Sequence, residues 1–114
     1  MRIWDVHPRH LCRSHLLGEH RELHALWNIL TQGKKGYRNH PETKRWQGKL
    51  LALYYRHEKL VTEMNNRDYQ HNSPLDKNLA LTDSNTQTSY VDSLEKQRQI
   101  LMNKNCPCFH SNND

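Results

Sequence analysis

Apolar residues in the first third of the chain recur at helical spacing, and this constrains the fold more than any other feature. Leu16, Leu23, Leu26, Trp27 and Leu30 fall on one side of a 3.6-residue repeat. The run opens at His7-Pro8, where a proline at the first helical position loses no hydrogen bond. Asp5 stands close enough to cap it. Gly33 follows the last periodic residues, and Gly33-Lys34-Lys35-Gly36-Tyr37-Arg38 reads as a basic loop. A second helical region begins after Asn39-His40-Pro41 and is interrupted at Gly48. It continues through Leu50, Leu53, Tyr54, Leu60, Val61 and Met64 to a stop at Asn65-Asn66. Residues 67–90 are rich in Asn, Asp, Ser and Thr and predict a loop that wraps the body. A third, shorter helix fits residues 91–104, with Val91, Leu94, Ile100 and Leu101 on its apolar side. No alternating strand pattern of useful length and no internal repeat is present. The expected fold is all-α: a compact single domain of two long helices plus a shorter C-terminal helix.

A chain of 114 residues supports one domain with one modest core. Apolar residues are 34% and the mean hydropathy is -1.09, so that core must be compact and the remainder solvated. Nothing approaches the roughly 20 apolar residues that span a bilayer. Met1-Arg2-Ile3-Trp4-Asp5 carries no apolar signal region. The expectation is a cytoplasmic protein with no membrane partner. Three cysteines, with Cys12 alone, do not suggest a secreted disulfide framework. The net charge of +5 is unevenly spread. Thirteen Lys/Arg stand against seven Asp/Glu over residues 1–75, and four against five over residues 76–114. A basic body with a near-neutral tail points to a polyanion, nucleic acid first.

One face of the first helix carries the candidate chemistry. His15, Glu19 and Glu22 lie at i, i+4 and i+7, away from the Leu/Trp stripe, with Arg21 and Arg13 nearby. A solvated polar face would look the same. A carboxylate pair at this spacing is repulsive, however, unless a cation or a raised pKa relieves it.

The run His15-Leu16-Leu17-Gly18-Glu19-His20-Arg21-Glu22-Leu23 resembles the His-Leu-x-x-Glu-Tyr-Arg-Glu-Leu signature of the pyrimidine-dimer DNA glycosylases of the phage endonuclease V type. Met1-Arg2-Ile3 stands at the same distance from the signature as the small residue, Arg and Ile that open the mature chains of that family. Asn39 to Tyr69, with its early proline and Leu/Tyr-rich helix, is similar to the family's long second helix. The resemblance covers roughly residues 1–75. It makes them a helical glycosylase-like core, with residues 76–114 a polar wrapping segment and Cys106-Pro107-Cys108 tail of the same domain.

The resemblance implies a DNA-repair glycosylase with an abasic-site lyase activity. The amine of Met1 would attack the sugar C1′, form a Schiff base and cut the strand by β-elimination. An α-amine suits this work because its reference pKa is about 7.7–8.0, against about 10.4 for lysine. The family's essential carboxylate carries over to Glu22, and its helping residues to Arg2, His15 and Arg21. Lys34, Lys35 and Arg38, with Lys44, Arg45 and Lys49, offer further phosphate contacts, and Tyr37 and Trp46 a wedge or stack. The implied partner is double-stranded DNA holding a damaged or abasic nucleotide, bound by a monomer. No metal or organic cofactor is implied. Departures from the family are Met1 for its Thr nucleophile, His20 for its Tyr, Ala25 for a DNA-contacting Arg, and the absence of its aromatic C-terminal segment. They leave the preferred lesion open.

Other readings stay beside this one. A non-catalytic nucleic-acid-binding module would have the same fold. His15, Glu19 and Glu22 would serve a metal-dependent helical enzyme if His57 or Glu58 joined them. Cys106-x-Cys108-x-His110 offers soft ligands for zinc, with Cys12 or a scattered His needed to complete the set. His20 and His24 lack the glutamate of a His-Glu-x-x-His motif and read as surface or interhelix polar residues.

Overall fold

The computed structural model describes residues 2–33, 39–70, 73–104 and 108. Among them the elements are a 3-10 turn at Pro8–His10, α1 (Arg13–Gln32), α2 (Pro41–Trp46), α3 (Leu50–Asn66), a 3-10 turn at Lys77–Ala80 and α4 (Leu94–Asn103). The fold is all-α, as the apolar spacing requires. None of the described helices is long and apolar enough to cross a membrane.

The two long helices, α1 and α3, pack on each other. Leu16, Leu23, Leu26 and Trp27 of α1 meet Leu53, Leu60 and Met64 of α3 in one core. Proline starts two elements, in each case behind a histidine cap. His7 Nδ1 accepts from Arg9 N at 3.0 Å, and His40 Nδ1 accepts from Glu42 N at 3.1 Å. Pro8 therefore begins a separate 3-10 turn, not α1. The chain extends again at Leu11 and Cys12 before the long helix starts at Arg13. Asp5 is no cap: it pairs with Arg45 at 3.0 Å.

Two glycines set the stops. Gly33 ends α1 in the left-handed region (φ 65°), and Gly48 (φ 73°) divides the expected second helix into α2 and α3. A Cβ at Gly48 would touch nothing within 4 Å, so its substitution is strained by backbone alone. Gly48→Ala should lower the unfolding free energy by about 1–2 kcal/mol, read from urea denaturation.

Asp83 and Ser84 of the polar segment close the N-terminal end of α3. Asp83 accepts from Leu50 N at 3.0 Å, and the Ser84 carbonyl accepts from Ala52 N at 3.1 Å. These bonds satisfy donors that a helix start leaves without internal partners. α4 starts at Leu94, three residues later than expected, so Val91 precedes it, and Val91 and Leu94 are both exposed, contrary to the expected apolar side. Leu101 is buried and Ile100 packs against the core, as expected, while Gln97 is buried because it grips the N-terminal segment. Its amide donates to Asp5 Oδ2 at 2.9 Å, and its carbonyl accepts from Asp5 N at 2.7 Å.

That N-terminal segment is the feature that positions the site. Residues 2–6 have no regular secondary structure, yet Ile3 is fully buried and Trp4 nearly so. Three arginines satisfy backbone carbonyls at its start and beyond it. Arg45 donates to the Ile3 carbonyl at 2.8 Å, Arg56 to that of Val6 at 2.8 Å, and Arg67 to that of Leu11 at 2.7 Å. Each arginine is itself neutralised by a carboxylate: Arg45 by Glu42 at 2.6 Å, Arg56 by Glu19 at 2.7 Å and Arg67 by Glu63 at 2.7 Å.

Candidate active site

The clamped N-terminal segment runs beside the outer edge of α1, and an open hollow of about 230 Å³ lies between them. Its lining includes Arg2 and Trp4 from the segment, His15, Glu19, Arg21 and Glu22 from α1, and Lys104 just past α4. Helical spacing alone brings the α1 group together. Arg2 comes from 90 positions away from its partner, Asp92, which it meets at 2.9 Å. The Arg2 guanidinium also stacks 4.9 Å above the Trp4 ring, which limits its freedom.

The two glutamates of α1 have different surroundings. Glu22 is exposed in the hollow. Glu19 is 2% exposed and held by Arg56 through two bonds, Nε to Oε2 at 2.7 Å and Nη2 to Oε1 at 3.0 Å. Burial pushes the Glu19 carboxyl up, and the Arg56 charge and hydrogen bonds pull against that shift. The expected solvated carboxylate pair is thus one structural anion and one accessible one, and Arg56 relieves their repulsion. Burial and the nearby Lys104 lower the pKa of His15, which favours a neutral imidazole at neutral pH. With Glu19 and Asp92 paired to arginines, Arg21 and Lys104 leave the hollow basic around the exposed carboxylate of Glu22, which has no ion pair among the described residues. Such a surface can attract a polyanion and present an acid–base group to it.

The sequence model of the family described as pyrimidine dimer DNA glycosylase matches residues 1–77. The chain belongs to this family. No curated protein and no solved structure matches it.

For a pyrimidine dimer DNA glycosylase, the residues expected to serve the site fall into three groups. Arg2, His15, Arg21 and Glu22 line one hollow. Met1, Lys34, Lys35 and Arg38 lie outside the described residues, as does Tyr37. Arg45 and Trp46 are buried, at 8% and 2% exposure, so they are not a phosphate contact and a stacking platform. Arg45 clamps Ile3 as described, and the Trp46 ring donates to Glu42 at 3.1 Å. Lys49 bonds Gln87 at 2.8 Å.

The metal reading of His15, Glu19 and Glu22 finds no support, because Arg56 engages both oxygens of Glu19. His20 and His24 are interhelix residues, as expected. Their rings meet His57 of α3, with His24 Nε2 and His57 Nε2 3.2 Å apart. Trp4 and Lys104 belong to the hollow and were not foreseen. Only their positions in space reveal them, since neither sits in a motif.

Proposed function

We propose that the protein is a DNA-repair glycosylase that removes a base from a pyrimidine dimer or another damaged nucleotide and then acts as an abasic-site lyase. Family membership supports the glycosylase part. One observation carries the finer reading: Arg2, the residue bonded to Met1, lines the same hollow as the exposed carboxylate Glu22. A backbone amine at the head of this segment is nucleophilic when neutral.

In the proposed reaction the Met1 amine attacks C1′ of the damaged nucleotide, and the base leaves with the bonding pair. Ring opening gives a Schiff base between protein and sugar. Loss of a proton from C2′ then expels the 3′ phosphate by β-elimination. Glu22 stabilises the cationic sugar and moves protons in ring opening and elimination. Arg2, His15 and Arg21 hold phosphates of the flanking strand, joined by Lys34, Lys35 and Arg38 of the basic loop. The target nucleotide must leave the stack for C1′ to be reached. The chain acts as a monomer on double-stranded DNA, with residues 1–75 as the glycosylase core and residues 76–114 wrapping it within one domain. The chemistry needs no cofactor.

Borohydride reduction tests this directly. Mixed with a duplex carrying one abasic site, the protein should be trapped as a covalent adduct, and acetylation of the Met1 amine should abolish the adduct. A protein that binds the duplex in a salt-sensitive way yet never traps would be a binding module instead. An adduct that survives acetylation would remove Met1 from the mechanism.

A further inference from the structure

Cys12 and His15 stand three residues apart at the start of α1, and Cys108 reaches them from the far end of the chain. Cys12 Sγ lies 3.1 Å from His15 Nδ1, and Cys108 Sγ lies 3.2 Å from the same nitrogen. The three donor atoms all lie within 4.8 Å of one another. Tetrahedral zinc, with bonds of ~2.3 Å to sulfur and ~2.0–2.1 Å to nitrogen, sets such atoms about 3.5 Å apart. The two sulfur–nitrogen separations lie within about half an ångström of that spacing.

The surroundings favour the metal-binding form of the sulfurs. Cys12 is the N-cap of α1, where the positive end of the helix stabilises a thiolate. Cys108 Sγ accepts from the backbone N–H of Cys12 at 3.0 Å, the kind of outer hydrogen bond that orients a ligating group. Cys108 is fully buried and Cys12 is 8% exposed. Two thiolates buried together carry a large desolvation cost, which a divalent cation between them offsets. Two sulfurs and an imidazole form a soft donor set, which selects zinc over magnesium or calcium.

We propose that Cys12, His15 and Cys108 bind one zinc-class divalent ion that staples the C-terminal tail to the start of α1. The site shares His15 with the hollow of the proposed reaction, but Cys108 lies outside residues 1–77 of the family match, and metal content is read without any DNA activity. Coordination through Nδ1 also fixes the remaining proton of His15 on Nε2, which leaves a donor on a residue of the hollow's lining.

The full-length reduced protein should carry one equivalent of zinc by elemental analysis, falling to under a tenth of an equivalent in Cys12→Ser and in Cys108→Ser. His24→Ala, in the separate histidine cluster, should leave that equivalent in place. Wild-type protein stripped of metal and titrated with cobalt(II) should develop thiolate-to-cobalt charge-transfer bands together with the intense visible bands of a tetrahedral site. This measurement holds even if a cysteine variant fails to fold. Absence of those bands at one or more equivalents of cobalt would overturn the proposal. So would a Cys12–Cys108 disulfide in protein that takes up no metal after reduction, or zinc that leaves with His24 and not with Cys12.

Discussion

Glu22→Gln should reduce strand cleavage at an abasic site by about 10²–10⁴-fold, the usual weight of a positioned acid–base group, while duplex affinity stays the same or rises. The two effects separate because of what surrounds the residue. Glu22 is exposed in a hollow lined by Arg2, Arg21 and Lys104. It is the accessible anion there, whereas affinity for a polyanion comes from cations. Glutamine keeps the shape and loses both the charge that would stabilise a cationic sugar and the site that would take a proton. Among the described residues no hydrogen bond or ion pair runs through Glu22, so the unfolding midpoint should not move. Single-turnover cleavage and fluorescence anisotropy on the same abasic duplex measure both quantities. Cleavage at the wild-type rate would show that the assigned acid is the wrong residue. Affinity falling in step with cleavage would make Glu22 a support for the surface instead.

The helices were legible because burying an apolar stripe imposes a period, and Leu16, Leu23, Leu26 and Trp27 obey it. Gly33 and Gly48 were legible as breaks because both take positive φ. The difference between Glu19 and Glu22 was not. Three residues along a helix turn a side chain through about 300°, leaving the two carboxylates about 60° apart around the axis. That is enough to put one against α3 and the other in the hollow. The arginine clamp was illegible for another reason. Arg45 and Arg56 have the composition of solvated residues, and their carbonyl partners lie 42 and 50 positions earlier. Local spacing says nothing about such bonds. It did single out the tail's cysteines as soft ligands. The pairing of Cys108 with Cys12 across 96 positions needed coordinates, and Cys106 and His110 lie outside the described residues.

Arg56→Met should destabilise the protein by about 3–5 kcal/mol, the cost of removing one partner from a buried ion pair. The Glu19 side chain has 0% exposure and that of Arg56 8%, so water cannot replace the lost guanidinium. Burial would then act on Glu19 without the Arg56 charge and hydrogen bonds against it, leaving the backbone hydrogen bond of Trp4 to oppose it, and would raise its folded-state pKa further above the unfolded value. A carboxyl raised in this way binds more protons folded than unfolded, so the variant should regain stability as pH falls and lose it as pH rises through the raised pKa. Glu19→Gln added to Arg56→Met should recover part of the loss, because the stranded charge is gone. Urea denaturation of the wild type and the two variants across pH 5–8 reads all of this. A loss under about 1 kcal/mol would mean that the pair is not what holds α1 to α3. The double variant should still trap abasic DNA poorly. Arg56 also donates to the Val6 carbonyl, and without that bond the segment carrying Arg2 beside Glu22 keeps the Arg45 anchor at Ile3 and loses the Arg56 one. Stability restored without restored trapping would separate the clamp's structural role from its positioning of the N-terminal segment.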